Sequence, residues 1–579
     1  MPKRPNIPLF SWARDYPREA LRGDLTAGVT VAVLVVPQAL AYAVLAGMPP
    51  VTGLYTTVAA SLVYAAVGTS RHLGVGPVAL TALLVAAALG EAARGDPARV
   101  LLLGPLLAVL VGVIQWAMRL LRLSALVNFL SHSVLAGFTS AAGITIAATQ
   151  LKDLLGLPPI PGASAGLSLL DVLRDLLPNL VHLHGPTTAI GVASLLVLLL
   201  GRRLPRIIPV PLVVTVAATL LSTWVGVDGL GVRTLRELPA GFPIPRLPVL
   251  DSDAVRILVP FAGAIALISF MEAIGQGKAI AARQGYHVSA GRELLALGGM
   301  NVAAGLFGGF PAGASYSRTA LTLVAGGRTQ LSGLVAAVIV LVAIQVAAPV
   351  LAPLPRTALA AIVVASLLGL IDFDAIRRTW RVRRTDGMAV IVTFLATLVL
   401  GVGPGIATGV LFSLFAFVVR AANPRIVELG RVDGTAIFRD AARFPVNTDP
   451  SVLVLRMDAP LYFANAEFLR DRVEALVARR PALRTVLLNC ATIGDVDADG
   501  VRTLEELSRT LQERDIRLVL VLLRGPVRDI LARSGFLQKL VEEGRYGRTV
   551  QAVLDSLDLP PDSPLLYPAP DEVTPSSLF

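Results

Sequence analysis

The chain has 579 residues, 54% of them hydrophobic and only 16% charged, and its mean hydropathy is +0.70. An average soluble domain carries about 25% charged residues, so a soluble globular protein is excluded and a polytopic α-helical membrane protein is expected. A single cysteine, Cys490, rules out an intrachain disulfide, and no Cys/His cluster has metal-ligand spacing, so no metal, cofactor or redox chemistry is expected.

Residues 1–24 are polar and basic, with no small-residue cleavage site after an apolar core. They read as a cytoplasmic N-terminal segment, with the first span from about Leu25 acting as its own insertion signal. From there to residue 422, apolar runs long enough to span, together with two shorter broken ones, give about fourteen spans. The net charge of +11 is not spread as a nucleic-acid footprint would be. Lys3, Arg4, Arg14, Arg18 and Arg22 precede the first span, Arg119 and Arg122 follow the fourth, and Arg202, Arg203 and Arg206 follow the sixth. Lys278, Arg283 and Arg292 follow the eighth, and Arg377, Arg378, Arg381, Arg383 and Arg384 follow the twelfth. If spans alternate, all these clusters share one side, the positive-inside pattern of a multi-pass plasma (inner) membrane protein with both termini cytoplasmic. The Pro/Gly-rich segments Leu151 to Pro186 and Val227 to Ala254 then read as extracytoplasmic loops.

Dividing the spans at the second loop gives seven and seven, and an odd number per half inverts the second half relative to the first. Two short Gly/Pro-led segments, GVGPVALTALLVAAAL from Gly74 and GFPAGASYSRTALTLV from Gly309, become the third span of each half. Paired interruptions of this kind point to an inverted-repeat transporter whose half-helix N-termini meet near the midplane. Such N-termini offer unpaired N–H donors and the positive end of a helix dipole, which favours a small anion. The plain alternative is a pair of ordinary kinks in a packed bundle.

After Asn423 charged residues become frequent. SVLVLRM, RTVLLNC and RLVLVLL read as strands, each followed by an amphipathic helical stretch, which makes residues 423–556 a small α/β domain. The Pro-rich segment 557–579 is expected to be a disordered tail.

VPQALAYAVLAGMPPVTGLYT from Val36, GTSRHLGVGPVA from Gly68 and Ser317 to Thr319 together resemble the signature segments of the SulP (solute carrier 26) anion transporters. LYFANAEFLRDRV from Leu461 and DVDADG from Asp495 resemble the STAS domain those transporters carry. The resemblance runs through nearly the whole chain in the expected order. It implies a seven-plus-seven inverted repeat with core and gate domains, usually a homodimer, embedded in the lipid bilayer and moving a small anion such as sulfate, bicarbonate, chloride or a dicarboxylate. It also places the substrate between the third and tenth spans with the first as a wall. The matching positions are Gln38 and Tyr42 on the first span, Pro77, Val78 and Ala79 opening the third, and Ser315, Tyr316, Ser317 and Arg318 opening the tenth. The plain alternative for Gln38 is an interhelical hydrogen bond.

In the eighth span Ser269, Glu272 and Gln276 share a helix face. Intramembrane charges are rare and usually functional. Family members are driven by protons or sodium, so Glu272 is the expected ion-coupling residue, and Arg318 either supplies positive potential to the substrate or neutralises Glu272. Arg71 and His72 read as solvated anchors, His132 as a packing or interfacial histidine, and Glu91, Arg94, Asp96 and Arg99 as an exposed loop. In the STAS-like unit, bacterial regulatory relatives carry a phosphorylatable serine where this chain has Ala498, so that switch cannot operate here; Asp499 is expected to cap the following helix. The domain then serves folding, dimer contacts or a cytoplasmic partner. Two other readings stay open: a nucleobase-type permease of the same fold, and a membrane-anchored STAS signalling protein with vestigial transport. No nucleophile–base set or phosphate loop supports an enzyme.

Overall fold

Helices that are apolar on every side have no stripe to turn towards water, and such helices belong inside a protein or a bilayer. The chain builds a bundle of them. The computed structural model describes residues 10, 12–13, 16–93, 96–123, 132–158, 168–204, 209–235, 241, 244–346, 348–368, 373–557, 559–560 and 563–566. Contacts divide the chain into two compact units, Met1–Ser413 and Leu414–Phe579.

The first half of the bundle contains α1 (Ala20–Leu45), α2 (Pro50–Val67), β1 (Val75–Gly76), α3 (Ala79–Ala93), α4 (Pro97–Leu120), α5 (His132–Leu155), α6 (Leu169–Leu176), α7 (Gly185–Gly201) and α8 (Val210–Val225). The second contains α9 (Ser252–Gln284), α10 (Ala290–Leu306), β2 (Gly313–Ala314), α11 (Tyr316–Val324), α12 (Leu331–Val346), α13 (Ala348–Leu351), α14 (Arg356–Leu367), α15 (Phe373–Val382), α16 (Arg384–Leu400) and α17 (Val402–Ala422). Among the described residues, α1, α2, α4, α5, α9 and α17 are long and apolar enough to cross a membrane by themselves; α3, α7, α8, α12 and α14 are shorter apolar helices.

The inverted repeat is legible in which helix touches which. The packing of α4 on α10 is mirrored by α2 on α12, α1 on α12 by α4 on α9, α5 on α16 by α7 on α14, and α3 on α9 by α1 on α11. The strands β1 and β2 pair with each other across the pseudo-twofold, antiparallel, with Val75 opposite Ala314 and Gly76 opposite Gly313. Exposed Leu196, Leu200, Leu220, Leu395, Leu411 and Phe415 give the outer helices an apolar surface suited to lipid.

Several local expectations are revised. The segment read as a loop from Leu151 contains the end of α5, then α6 and a 3₁₀ turn, Leu177–His182. Asp96, expected in an exposed loop, caps α4 by accepting from the Ala98 N–H at 2.9 Å, and Arg99 pairs with Asp251 at 2.9 Å; Arg94 lies outside the described residues. His72 is buried, not a solvated anchor, with Nδ1 3.1 Å from the Tyr286 hydroxyl, while Arg71 lies over the Tyr286 ring. The backbone of His132 begins α5, and its side chain lies outside the described residues.

The second unit carries a six-stranded sheet in the order β4-β3-β5-β6-β7-β8, with β3 (Ile426–Arg431), β4 (Phe438–Asp440), β5 (Val452–Met457), β6 (Thr485–Asn489), β7 (Arg517–Val521) and β8 (Tyr546–Gly547). β5 to β8 are parallel, and β3 is antiparallel to both neighbours. The three strands expected from sequence are β5, β6 and β7, and their side chains alternate between two cores. Leu453, Leu455, Val486, Leu488, Leu518 and Leu520 face the helices α18 (Phe463–Val477), α19 (Ala498–Gln512), α20 (Gly525–Arg533) and α21 (Phe536–Glu542). Val452, Val454, Leu487, Val519 and Val521 pack on the other face with α22 (Val550–Leu554). Asp497, not Asp499, caps α19 by accepting from the Gly500 N–H at 2.8 Å, because its side chain stands one turn before that amide. Asp499 pairs instead with Arg502.

Within the segment expected to be a disordered tail, residues 563–566 are docked on the sheet. Leu565 is 1% exposed and belongs to the second core, the Ser563 hydroxyl donates to Asp449 at 2.6 Å, and Arg431 donates to the Pro564 carbonyl at 2.8 Å. The sheet has two apolar faces, and the one opposite the four helices is covered by α22 together with Leu565. Leu565→Ala should therefore destabilise the STAS transition of the intact protein by about 2–5 kcal/mol, read by calorimetry; an unchanged transition would contradict the docking.

Cys490 is buried in the first of these cores, and burial pushes its thiol up to about 12. Only a thiolate reacts readily with electrophiles. The native protein should resist maleimide at neutral pH and label fully once denatured, as mass spectrometry would read.

Candidate substrate site

Backbone that is neither helix nor closed sheet survives at membrane depth only where each N–H and C=O finds a partner. The two segments that break the bundle are held in that way. The buried Glu293 carboxylate on α10 accepts from the Thr69 and Ser70 N–H groups at 3.0 Å each and from the Tyr64 hydroxyl at 2.9 Å. Asp24 on α1, also buried, accepts from the Arg328 and Thr329 N–H groups at 2.6 and 3.0 Å. Asn301 accepts from the Ala312 N–H at 2.7 Å and passes a hydrogen bond to Gln115, which donates to Ser269 on α9 at 3.0 Å. Thr56 accepts from the Phe310 N–H at 3.0 Å.

With the segments fixed, β1 feeds α3 and β2 feeds α11, so two helices start beside one short antiparallel pair. The Ser315 N–H donates to the Gly74 carbonyl at 2.8 Å, and the Gly74 N–H to the Thr319 hydroxyl at 3.0 Å. Gly76 has φ +137°, a conformation L side chains rarely adopt, and a Cβ there would stand 2.8 Å from Arg318 Nη1. The first N–H groups of each helix have no acceptor within it. Ser315 caps α11 by accepting from the Arg318 N–H at 3.4 Å, and its hydroxyl is 3.2 Å from that of Ser317.

These helix starts open on a cavity of about 640 Å³. Of the residues expected at the site, Gln38, Tyr42, Val78, Ala79, Glu272, Ser315, Tyr316 and Ser317 line it. Pro77 and Arg318 do not: both are buried behind the strand pair. Arg318, 1% exposed, donates from Nη2 to the Pro77 carbonyl at 2.8 Å, so its charge lies under the start of α3 and reaches the cavity through backbone rather than by contact. Its other guanidinium nitrogens, Nε and Nη1, have no hydrogen-bond partner among the described residues and border a small void of about 20 Å³, beside His72 and Gln330.

The expected alternative of a Glu272–Arg318 ion pair is not present. Glu272 is half-buried, lines the cavity, and forms no hydrogen bond or ion pair with the described residues. The polar stripe on α9 divides by partner: Ser269 turns to Gln115, the Gln276 amide lies 3.5 Å from the Ala314 carbonyl, and Glu272 alone meets the cavity.

Sequence reasoning missed Thr30 on α1, Ser366 on α14 and Arg202 after α7, which also line the cavity. Ser366, a hydroxyl in an otherwise apolar run, carried a readable signal. Arg202 read only as a side marker. Through Thr30 and Arg202 the cavity extends towards the end of the bundle that carries the basic clusters.

Residues 21–393 match the model of the sulfate permease family, and residues 443–553 that of the STAS domain. The chain belongs to the sulfate permease family. It is 36% identical over 548 residues to a probable sulfate transporter of Mycobacterium tuberculosis, covering 93% of this chain and 97% of that one. It is 33% identical to chloroplastic sulfate transporter 4.1 of Arabidopsis thaliana, covering 94% and 82%. Among solved structures it resembles the murine solute carrier 26 family member A9 anion transporter in the inward-facing state, with TM-score 0.87, 25% identity and coverage of 95% and 94%. The transmembrane domain of a cyanobacterial bicarbonate transporter, BicA, aligns with TM-score 0.58 and 26% identity over 69% of this chain and 98% of that one. This family member is a multi-pass membrane transporter with a C-terminal STAS domain, and relatives of this kind are not enzymes.

Proposed function

We propose that the protein is a secondary active transporter of a small oxyanion, sulfate foremost, working by alternating access with uptake coupled to protons or sodium. One observation carries this reading: the starts of α3 and α11, tied by β1 and β2, share a cavity with hydroxyls and a carboxylate. Helix N-termini and hydroxyls replace part of an anion's hydration shell, and with Arg318 held behind the backbone and Arg202 out towards the mouth the anion is bound loosely enough to be released. The names of the relatives favour sulfate over bicarbonate, chloride or a dicarboxylate.

In this reading residues 25–422 form the transport domain and residues 423–556 the STAS domain. The substrate contacts are Gln38, Tyr42, Val78, Ala79, Ser315, Tyr316 and Ser317, with Pro77 and Arg318 shaping the site from behind and Glu272 taking the coupling ion. The basic clusters and both termini face the cytoplasm, the cavity is open inward, and the protein works in the plasma membrane as a homodimer whose STAS unit contacts a cytoplasmic partner. The nucleobase-permease reading is less favoured, because α11 offers serines where a ring-binding site needs a second carboxylate.

Proteoliposomes of the full chain should concentrate radiolabelled sulfate under an imposed proton or sodium gradient, with unlabelled sulfate competing better than chloride, bicarbonate or uracil. Absence of flux of every anion tried would overturn transport and favour the STAS-signalling reading.

A further inference from the structure

A second polar cavity, of about 320 Å³, lies among the end of α5, the starts of α7 and α14 and the residues around Gly231. These are the helix ends opposite the basic clusters, so it is remote along the bundle from the mouth of the substrate cavity. Its size is at the lower end for small-molecule sites. Lys152, Arg233 and Arg356 line it together with His182 and His184, against a single lining carboxylate, Asp153.

The two arginines are brought together by backbone. Thr234 forms an isolated antiparallel bridge with Pro355, the Arg356 N–H donates to the Arg233 carbonyl at 2.9 Å, and the Leu235 N–H donates to the Leu354 carbonyl at 3.1 Å. Arg356 is also the first residue of α14, where the helix dipole is already positive. Neither Lys152 nor either arginine forms an ion pair or side-chain hydrogen bond among the described residues. Asp153 interacts electrostatically with Arg356, Arg233 and Lys152 and offsets part of their mutual repulsion, but three cations face one carboxylate, and an anion bound among them removes the remaining cost. His184 and Thr187 at the start of α7, hydrogen-bonded to each other at 2.7 Å, add polar groups to the opposite wall.

We propose that this cavity binds a multivalent oxyanion of the sulfate or phosphate class, at a site separate from the transport site, bridging α5, α7 and α14. The ligand's source is either a free ion or the phosphate of an anionic lipid headgroup. The inference does not depend on which substrate the transporter carries.

Because Cys490 is buried, an introduced cysteine supplies the one readily reactive thiol. Leu183 lines the cavity and is 51% exposed, and Val181, 88% exposed, lies just outside it. In full-length Leu183→Cys protein, an anionic methanethiosulfonate should react about tenfold faster, relative to its cationic counterpart, than in Val181→Cys protein. In phosphatidylcholine nanodiscs, inorganic sulfate or phosphate should slow that reaction, and this assigns a free ion. Protection without added ion in phosphatidylglycerol nanodiscs assigns a lipid headgroup. Adding Arg233→Gln and Arg356→Gln to Leu183→Cys should abolish both the charge preference and the protection. Adding Arg318→Ala should preserve them in protein whose size-exclusion profile matches the native one, since Arg318 does not line this cavity. The proposal is overturned if neither sulfate, phosphate nor anionic lipid protects, if protection persists without the two arginines, or if it disappears with Arg318→Ala.

Discussion

Glu272→Gln should abolish gradient-driven accumulation of sulfate while equilibrium exchange across the same vesicles continues. The reason lies in what Glu272 touches. A carboxylate paired with a buried arginine cannot be neutralised without leaving that arginine uncompensated, which is strongly destabilising. Here Arg318 is bonded to the Pro77 carbonyl and Glu272 faces the cavity unpaired among the described residues, so glutamine removes a charge without breaking a pair. It also removes a negative charge from the chamber proposed to hold the anion, so sulfate should bind as tightly as in the native protein or more tightly. Concentrative uptake should fall to the level of protein-free vesicles, because an intramembrane carboxylate that carries the coupling ion has no substitute once it is lost. Measuring exchange and uptake on one preparation separates the possibilities: unchanged concentrative uptake removes Glu272 from coupling, and joint loss of exchange and binding makes it a structural element of the site.

Arg318→Ala should weaken sulfate binding by roughly ten- to a hundredfold, since a hydrogen bond from a charged group is worth about 1.5–3 kcal/mol. Two effects coincide. The guanidinium supplies positive potential beneath the starts of α3 and α11, and it braces the Pro77 carbonyl, fixing the backbone from which α3 offers its N–H groups. Arg318→Lys retains the charge but not the planar fork, so it should recover part of the lost affinity. Recovery to the native value would make the charge sufficient, and no recovery would leave bracing as the whole effect. Size-exclusion profiles matching the native protein are the control for folding, because a cavity left by so large a buried side chain carries its own cost. Native affinity in a folded Arg318→Ala protein would remove the residue from the site altogether.

The class of the protein followed from composition, and the inverted repeat from counting: runs of apolar residues, an odd number per half, and basic clusters on alternate connections are all local or periodic features. The strands β5, β6 and β7 were legible for the same reason, since short apolar runs between polar helices leave few alternatives. Gln38, Tyr42, Val78, Ala79, Ser315, Tyr316 and Ser317 were nameable through the resemblance of their segments to the family and Glu272 through its helical spacing, and the fold brings them to one cavity. What spacing cannot express is the direction of a side chain once two segments cross. Arg318 immediately follows Ser317 in sequence, yet the β1–β2 pairing turns it behind the site to the Pro77 carbonyl, while Ser317 faces the cavity. The same limit hid the roles of Glu293 and Asp24, each of which satisfies backbone N–H groups more than two hundred residues away. It also hid Leu565, whose Pro-rich surroundings read as disorder until the open face of the sheet supplied a surface to bury it. Composition and periodicity decide which segments leave water; only packing across the pseudo-twofold decides which polar groups meet inside, because each must find its partner on a distant part of the chain.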